Sequence, residues 1–238
     1  MPSDHTSAHA RAAGAGLLPA GELTPALLRQ LPMFAEMAED ALQAVARVSL
    51  LRRVPRNARV VRTGEPIDFV YLVLAGSLNV LVDDEQGREA ILSVLGPGEL
   101  FGEMGALDEE ARSASVVAVT PSVLVVIGKT EFKRCLQANF EVTQYVMRKL
   151  VQRLRLADRR IESLALLDVT GRVVRLLLEL TEPLDGQRVL SCRISRQDIA
   201  KMIGASREMV SRVVKDLELR GLIEQNDGRI VLREGSRP

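Results

Sequence analysis

The stretch Ile194–Leu217 constrains this chain more than any other, because it contains two short apolar repeats separated by a glycine. Ser195 and Ser206 each precede one repeat, and a serine hydroxyl can accept a backbone N–H bond at the start of a helix. Gly204 ends the first repeat, since only glycine enters the left-handed conformation without a steric cost. Two short helices around such a turn form a helix-turn-helix. The predicted apolar faces are Ile199, Met202 and Ile203 in the first helix, and Met209, Val210, Val213, Val214 and Leu217 in the second.

The second predicted helix carries three charged side chains near its start, Arg207, Glu208 and Arg212. A guanidinium group fits guanine O6 and N7 as a fork, and a carboxylate can accept a hydrogen bond from cytosine N4. The N-terminal end of such a helix is the end that meets base edges in the major groove. The residues by themselves also fit an ordinary surface helix with solvated charges, and the rest of the chain favours DNA.

Composition bounds the class of protein. The chain has 238 residues, enough for two domains, and 47% of them are hydrophobic, so a core can form. The formal net charge is +1, while residues 169–238 hold 13 Lys and Arg against 10 Asp and Glu, a difference of +3. This small positive excess is weak evidence for a DNA partner, so the prediction of DNA binding depends on the helix-turn-helix motif.

Residues that usually hold metals are scarce and scattered. Cys135 and Cys192 lie far apart in the sequence, and His5 and His9 both lie near the N-terminus. We therefore expect no metal site, no iron–sulfur cluster and no disulfide framework, as is usual in a reducing cytoplasm. No apolar run reaches the roughly 18 residues that a membrane span needs, and the start lacks a signal peptide. A cytoplasmic protein without membrane contact is expected.

Ahead of the helix-turn-helix the hydrophobic period changes. Residues 1–20 predict a mobile tail, and Thr24–Val48 has helical spacing that begins at Thr24-Pro25. Between Arg52 and Ile127, short runs with a period of two alternate with glycine-containing turns, which predicts a β-sandwich or barrel such as a jelly roll. The predicted strands are Val60–Val61, Phe69–Val73, Leu78–Val82, Ala90–Leu95, Ser115–Val119 and Leu124–Ile127.

One stretch, Phe101–Leu107, interrupts the β pattern, and Arg112-Ser113 follows shortly after it. Gly102 at the start of a short helical turn would point backbone N–H groups outward, as in an anion site. Arg112 adds a charged fork and Ser113 a hydroxyl, which together suit a phosphate. Glu103 can accept hydrogen bonds from sugar hydroxyls. The residues by themselves also permit a plain ion pair between Glu103 and Arg112 at a barrel rim.

From Glu141 to Leu164 an apolar residue recurs in alternating steps of 3 and 4. That spacing is typical of helices packed in a coiled coil, and a long seam before a DNA-binding module predicts a parallel homodimer. Docking of the helix within one chain is the alternative. Val142, Val146 and Val151 lie off the seam and are expected to pack on the barrel. The predicted dimer interface consists of Met147, Leu150, Leu154, Ala157, Ile161 and Leu164.

The segments around the helix-turn-helix complete a second domain. Asp168 or Thr170 is expected to cap a helix over Gly171–Leu180, and Glu182–Arg188 is predicted to be a turn. After the second helix, Asn226-Asp227-Gly228 lies between two apolar runs, which is a strong hairpin signal. A helix-turn-helix followed by such a hairpin is a winged helix.

Together these motifs resemble the bacterial CRP/FNR transcription regulators, specifically the cyclic AMP receptor branch, from about Leu31 to Leu232. Phe101-Gly102-Glu103 with Arg112-Ser113-Ala114 is similar to the family's phosphate-binding cassette. Leu164–Arg172 is similar to its hinge, and Ser206-Arg207-Glu208 with Arg212 is similar to its recognition helix. The chain lacks the cysteine cluster of the oxygen-sensing FNR branch.

The resemblance implies roles for individual residues. Those implied to hold the ribose, the cyclic phosphate and the base are Gly102, Glu103, Met104, Arg112, Ser113, Leu92 and Leu95. Those implied to hold DNA phosphates are Ser195, Arg196, Gln197 and Ser206. Those implied to read a TGTGA-like half-site are Arg207, Glu208 and Arg212.

The implied fold is α+β with four parts. Residues 1–20 are the tail, and residues 21–140 form a β jelly-roll domain that binds a cyclic nucleotide. Residues 141–167 form the dimerisation helix and hinge, and residues 168–238 form the winged helix-turn-helix domain.

Two departures from the family pattern bear on function. Ala157 and Asp158 stand where cyclic AMP binders of this branch place Thr and Ser on the adenine. The Asp158 carboxylate can accept from an adenine amino group, but also from guanine N1–H and N2–H, so it belongs to the predicted ligand site without selecting one base. Cyclic AMP is the first candidate effector, and cyclic GMP and cyclic di-GMP stay open. Thr181–Val189 is shorter than the loop that contacts RNA polymerase in the enteric member, which leaves that partner open.

The sequence thus predicts a dimeric transcription regulator in which a cyclic nucleotide bound in the barrel controls binding to a palindromic operator in double-stranded DNA. One alternative is a degenerate barrel with ligand-independent DNA binding. Another is an enzyme under cyclic nucleotide control, which is disfavoured because nothing after Leu164 supplies a nucleophile–base pair or a metal site. We expect no enzyme.

Overall fold

The structure is a computed structural model that describes residues 17–18, 23–184, 187–190, 194–226 and 229–232. Several sequence predictions lie outside these residues. They concern most of the N-terminal tail with its two histidines, the tip of the predicted turn at Asp185-Gly186, Cys192, and Asp227-Gly228 in the predicted hairpin turn.

The chain divides into two compact units. The first comprises Met1–Arg88 with Leu92–Leu150, and the second comprises Glu89–Ile91 with Val151–Pro238. The division falls inside the long helix, which contributes residues to both units. The predicted boundaries give residues 141–167, which include most of that helix, as a segment of their own.

In the first unit, two helices and a turn come before most of the strands. They are α1 (Pro25–Arg29), a single 3-10 turn (Pro32–Phe34) and α2 (Glu39–Val48). The Thr24 hydroxyl accepts a hydrogen bond from the Leu27 N–H at 3.3 Å, which confirms the predicted start of α1.

Nine described strands, numbered β1 to β9 in chain order, form two sheets, with the orders β1-β2-β9-β4-β7 and β3-β8-β5-β6. The central strand β9 pairs antiparallel with β2 on one side and β4 on the other, so that Val125 lies opposite Leu51 and Leu72. The described strands are β1 (Leu17–Leu18), β2 (Ser49–Val54), β3 (Arg59–Val61), β4 (Phe69–Ala75), β5 (Leu78–Asp83), β6 (Glu89–Leu95), β7 (Leu100–Phe101), β8 (Ser115–Ala118) and β9 (Ser122–Gly128).

Alternation along β9 divides the apolar residues between two cores. Val125 and Ile127 pack in a cluster with residues of the helices, whereas Leu124 and Val126 pack in a second cluster between the sheets. Successive side chains of a strand point to opposite faces, so a continuous apolar run serves both cores. The two sheets confirm the predicted β domain.

A short helix, α3 (Glu103–Asp108), interrupts the strands, and α4 (Lys129–Ala138) follows them. Sequence reasoning did not predict α4, because few of its ten residues are apolar and its start at Gly128 has no side-chain cap. Phe132 and Cys135 nevertheless bury its inner face.

The long helix α5 spans Phe140–Leu166. Val142 and Val146 are buried in the helix-side core of the first unit, as predicted. Val151 is exposed, so the prediction that it packs on the barrel was wrong.

The second unit contains a helical cluster and one sheet of order β10-β11-β13-β12. Its elements are α6 (Val169–Leu180), β10 (Thr181–Leu184), β11 (Gln187–Leu190), α7 (Arg196–Ile203), α8 (Arg207–Leu219), β12 (Ile223–Asn226) and β13 (Arg229–Leu232). Their shared core includes Val173 and Leu177 of α6, Ile199 of α7 and Val214 of α8. Two helices followed by the β12–β13 hairpin confirm the winged helix.

The segment Glu182–Arg188, predicted to be a turn, belongs instead to a hairpin. β10 and β11 pair antiparallel, with Pro183 opposite Arg188. Sequence reasoning missed these strands because proline cannot donate to a β ladder. β10 is an edge strand of its sheet, however, and proline is tolerated there.

Candidate effector site and DNA-reading helix

The predicted phosphate cassette lies where β7 ends and α3 begins. Gly102 has φ +83°, in the left-handed region, and occupies the position that caps α3. A Cβ atom on Gly102 would lie 2.0 Å from Nη1 of Arg112 and 3.2 Å from the carbonyl oxygen of Phe69. Both the backbone angle and the space therefore require glycine at this position.

Arg112 is held in the interior of the first unit, with only 7% of the residue exposed. Its Nη2 donates to the Phe69 carbonyl oxygen at 2.6 Å. Its backbone is fixed by the Arg112 N–H bond to Glu65 O at 3.0 Å and by the Gly64 N–H bond to Arg112 O at 2.8 Å. Nη1 is buried and has no hydrogen-bond partner within the described parts of the chain. A buried guanidinium with an unused donor suits an anion.

Arg112 stays charged although its surroundings, on balance, lower its pKa. Burial lowers the pKa of Arg112, and the neighbouring Tyr71, Glu65, Glu103 and Asp68 act in the opposite direction. An arginine side chain stays protonated in proteins. The site therefore presents a fixed positive charge in a poorly solvated setting, where its attraction for an anion is stronger than in water.

Tyr71, which sequence reasoning did not assign to the site, lies beside the guanidinium and stacks on Phe101 of the cassette. Cζ of Arg112 lies 5.7 Å from the Tyr71 ring centroid, and Tyr71 stacks on Phe101 with centroids 4.8 Å apart. Burial raises the pKa of the Tyr71 hydroxyl, while Arg52 and Arg112 oppose that rise. Tyr71 lies opposite Phe101 where β4 pairs with β7, so strand pairing alone could have indicated that contact. Strand pairing does not indicate the contact between Tyr71 and Arg112.

The other predicted cassette residues divide into two groups. Glu103 is buried in the first turn of α3 and lies close enough to Arg112 to favour its charged form. Met104 and Ser113 are exposed. The structure thus brings Gly102, Glu103 and Arg112 together and leaves the Met104 and Ser113 side chains at the surface.

Leu92 and Leu95, expected to flank one base, lie on opposite faces of β6. Leu95 is 2% exposed and belongs to the core between the sheets, whereas Leu92 is 45% exposed. Residues three apart in a strand point in opposite directions. The prediction that both leucines flank one base stays a prediction, and of the two, Leu95 lies on the inner face of β6.

The predicted seam of α5 is solvent-exposed over most of its length in the single chain. Met147, Leu154, Ile161 and Leu164 are exposed apolar residues, and Ala157 is exposed beside Asp158. Leu150 is partly buried against the helix-side core of the first unit. An apolar row of this length left in water has the character of an interface.

The turn of the helix-turn-helix is built as the sequence predicted. The Ser195 hydroxyl accepts from the Asp198 N–H at 3.0 Å, and the Ser206 hydroxyl accepts from the Met209 N–H at 3.2 Å. Gly204 has φ +64° at the end of α7. Arg172, which sequence reasoning assigned no such role, donates from Nη1 to the Ile203 carbonyl at 2.8 Å and so supports this turn from α6.

Of the residues predicted to read bases, Arg207, Glu208 and Arg212 are all exposed on α8. Hydrogen bonds from its own backbone and from Ser206 lower the pKa of Glu208, so its carboxylate is ionised at neutral pH. Met209 was predicted on the buried face of α8 and is exposed instead. The fully buried residues of this helix are Val210, Val214 and Leu217.

The residues predicted to hold DNA phosphates have different surroundings. Gln197 is exposed, and Ser195 and Ser206 use their hydroxyls as helix caps. Arg196 is partly buried, with its Nη2 3.5 Å from Glu218 Oε1. This ion pair joins α7 to α8, a contact that sequence spacing did not indicate.

Membrane-spanning helices and metal-binding clusters are both absent from the described residues. Within those ranges, no helix is long and apolar enough to cross a membrane. No cluster of three or more His, Cys, Asp or Glu residues suited to a metal ion occurs in the described portion either.

A β domain with a buried arginine beside Gly102, joined in one chain to a winged helix whose second helix exposes Arg207 and Arg212, has the organisation of a ligand-responsive DNA-binding protein. Residues 51–139 match the cyclic nucleotide-binding domain family, and residues 171–236 match the Crp-like helix-turn-helix domain family. The cAMP-activated global transcriptional regulator CRP of Pasteurella multocida is 36% identical over 190 residues, covering 76% of this chain and 89% of that protein. The chain belongs to the CRP/FNR family, and it is a cyclic-nucleotide-responsive, DNA-binding transcription regulator.

Two further relatives differ in the effector that their names carry. The cAMP-activated global transcriptional regulator Vfr of Pseudomonas aeruginosa is 35% identical over 179 residues, covering 72% of this chain and 84% of that protein. The c-di-GMP responsive global regulator CLP of Xanthomonas campestris has a solved structure with 29% identity and a TM-score of 0.68. That likeness covers 82% of this chain and 99% of CLP.

Proposed function

We propose that the protein is a homodimeric regulator in which a cyclic nucleotide, held by Gly102, Glu103 and Arg112, controls binding to a palindromic operator. The observation that carries this proposal is the buried Nη1 of Arg112, which has no partner in the described part of the chain and lies over Gly102. A cyclic phosphate supplies the acceptor that this donor lacks. Ser113, Met104 and Leu95 are further candidates for the same site.

The proposed dimer forms through the exposed seam of α5. Its apolar residues recur at heptad spacing, which suits a parallel pair of helices. In such a dimer, two copies of α8 would enter successive major grooves about 34 Å apart, and a palindromic operator would match the two-fold symmetry. Arg207, Glu208 and Arg212 are the proposed base-reading residues.

The proposed mechanism is a shift between two states of the dimer. The effector stabilises the state in which both reading helices match the operator, and coupling of about 1–3 kcal/mol is typical of such switches. Only a difference in effector affinity between the two states can move this equilibrium.

Cyclic AMP is the first candidate effector, because relatives named as cAMP-activated share about a third of their residues with this chain. Cyclic di-GMP is the second candidate, on two grounds. Asp158 can accept hydrogen bonds from a guanine edge, and a structural relative is named as c-di-GMP responsive. Cyclic GMP shares the first of these grounds.

Calorimetric titration of the full-length protein with cyclic AMP, cyclic GMP and cyclic di-GMP tests the site. We expect one of them to bind to the wild type and none to bind to Arg112→Gln. For Asp158→Thr, tighter cyclic AMP binding together with loss of any guanine ligand would identify Asp158 as a purine selector. If the wild type binds none of the three and still binds a specific operator, the protein is a ligand-independent regulator instead.

A further inference from the structure

One apolar residue of α8 lies where the sequence pattern did not place it. Met209 is 42% exposed, although its spacing from Val210 and Val213 had assigned it to the core. Val210, Val214 and Leu217 are fully buried in the core of the second unit. At about 100° per residue, Met209 lies a quarter turn from Val210 and so at the border of the exposed face.

Towards the exposed face of α8, the neighbours of Met209 are polar. Within the first two turns of α8, which are fully described, Met209 is the one exposed apolar residue. It occupies the first turn, where its backbone N–H is fixed by the Ser206 cap at 3.2 Å. Arg212 lies three residues further along and is therefore its neighbour on the helix surface. The other exposed residues of this region are Arg207, Glu208 and Ser211, with Lys215 on the next turn.

We propose that Met209 is a specificity-determining residue that contacts the C5-methyl group of a thymine in the major groove, next to the base pair that Arg212 reads. The inference rests on the proposed function, in which α8 is the reading helix. Arginine and glutamate recognise the polar edges of guanine and cytosine, whereas the thymine methyl is recognised by an apolar side chain. Methionine has a flexible, polarisable thioether that can follow a base edge.

Replacing thymine with deoxyuridine removes that methyl group and leaves every hydrogen-bonding atom of the base in place. An operator is first selected from a random palindromic library with the wild-type protein, in parallel selections that contain cyclic AMP, cyclic GMP or cyclic di-GMP. Each symmetric pair of thymines is then changed to deoxyuridine, and equilibrium affinities are measured at one salt concentration for the wild type and for Met209→Ala.

We expect the wild type to lose about fourfold in affinity per half-site at one thymine position, the value of one buried methyl-sized group. Met209→Ala should bind thymine and deoxyuridine equally well at that position. The matched control is Leu219→Ala, which truncates an exposed apolar residue (79%) at the opposite end of α8 and should keep the wild-type discrimination.

Three outcomes overturn the inference. The wild type is insensitive to the change at every thymine, or Met209→Ala keeps the wild-type ratio, or Leu219→Ala loses it as well. In each case specific operator binding by the wild type leaves the proposed function intact. Failure of the wild type to select any operator overturns both. Because Met209 is half-exposed, its truncation should leave thermal unfolding nearly unchanged, which circular dichroism can verify.

Discussion

Nη1 of Arg112 lies 2.0 Å from the point that a Cβ atom on Gly102 would occupy, so the guanidinium fills the space that every other residue at position 102 would need. Gly102 is therefore required by the approach of Arg112 as much as by its own φ of +83°. Both the backbone turn at position 102 and the position of the Arg112 guanidinium therefore depend on the absence of a Cβ atom at Gly102.

Gly102→Ala should abolish effector binding. The added methyl group must displace the Arg112 guanidinium. The displaced guanidinium can then no longer donate a hydrogen bond to the bound phosphate. Gly87→Ala is a matched control, because Gly87 has a similar φ of +75° but open space around its Cβ position. Both variants should lose roughly 1 kcal/mol of stability from the positive φ, and only Gly102→Ala should fail in calorimetric titration. Equal effector affinity in the two variants would contradict the steric argument.

Leu154→Glu should dissociate the dimer. Leu154 is exposed in the single chain, so the change should leave the fold of each unit intact while it puts a charge on the proposed seam. We expect the dimer to weaken by more than about 2 kcal/mol, or roughly thirtyfold in Kd, measured by analytical ultracentrifugation. Gln152→Glu adds the same charge at an exposed position off the seam and should have little effect. A wild-type protein that sediments as a monomer would refute the dimer itself.

Arg207→Ala should weaken operator binding by roughly 1–3 kcal/mol and relax specificity at one guanine. The side chain is exposed at the first position of α8, so no part of the core depends on it. Arg220→Ala removes the same charge beyond the last turn of that helix and should change affinity without changing base preference. Competition binding with single-base operator variants separates a loss of affinity from a change in base preference. An unchanged base preference in Arg207→Ala would show that Arg207 does not read a base.

Cys135 should make stability depend on pH in the alkaline range. Burial raises the pKa of its thiol from 9.0 to about 11. The unfolded chain therefore loses this proton first, so the stabilisation is complete below about pH 9 and is lost as the pH rises towards 11. The shift corresponds to about 2–3 kcal/mol. Urea unfolding of Cys135→Ala should show a smaller loss over this range than the wild type, and parallel losses would show that the thiol does not contribute.

The residues that sequence reasoning located well are those with a local physical role. Thr24, Ser195 and Ser206 cap helices through hydrogen bonds within three residues, and Gly204 ends a helix through its own φ. The strands of the β domain follow from a period of two. α4 and the β10–β11 hairpin were missed because their local patterns are weak, and packing or pairing with distant residues stabilises them.

The candidate site divides in the same way. Sequence indicated Gly102, Glu103 and Arg112 as a group, and the structure brings them together. It did not indicate that Tyr71 lies beside the guanidinium, that Leu92 and Leu95 face opposite sides, or that Arg196 pairs with Glu218. Two of these relations join residues that are distant in the chain. The opposite faces of Leu92 and Leu95 instead follow from the alternation of a strand, so the predicted strand Ala90–Leu95 could have indicated them.

By itself, the amino-acid sequence determined most of the helices and strands around the two motifs, the turns that need glycine, and the residue types available for a phosphate and for base edges. Those properties depend on backbone conformation and on neighbours a few residues away. Only the tertiary structure decided that Arg112 is buried with an unpartnered hydrogen-bond donor and that Met209 is exposed. Burial depends on which distant elements pack against a side chain, and no local period carries that information.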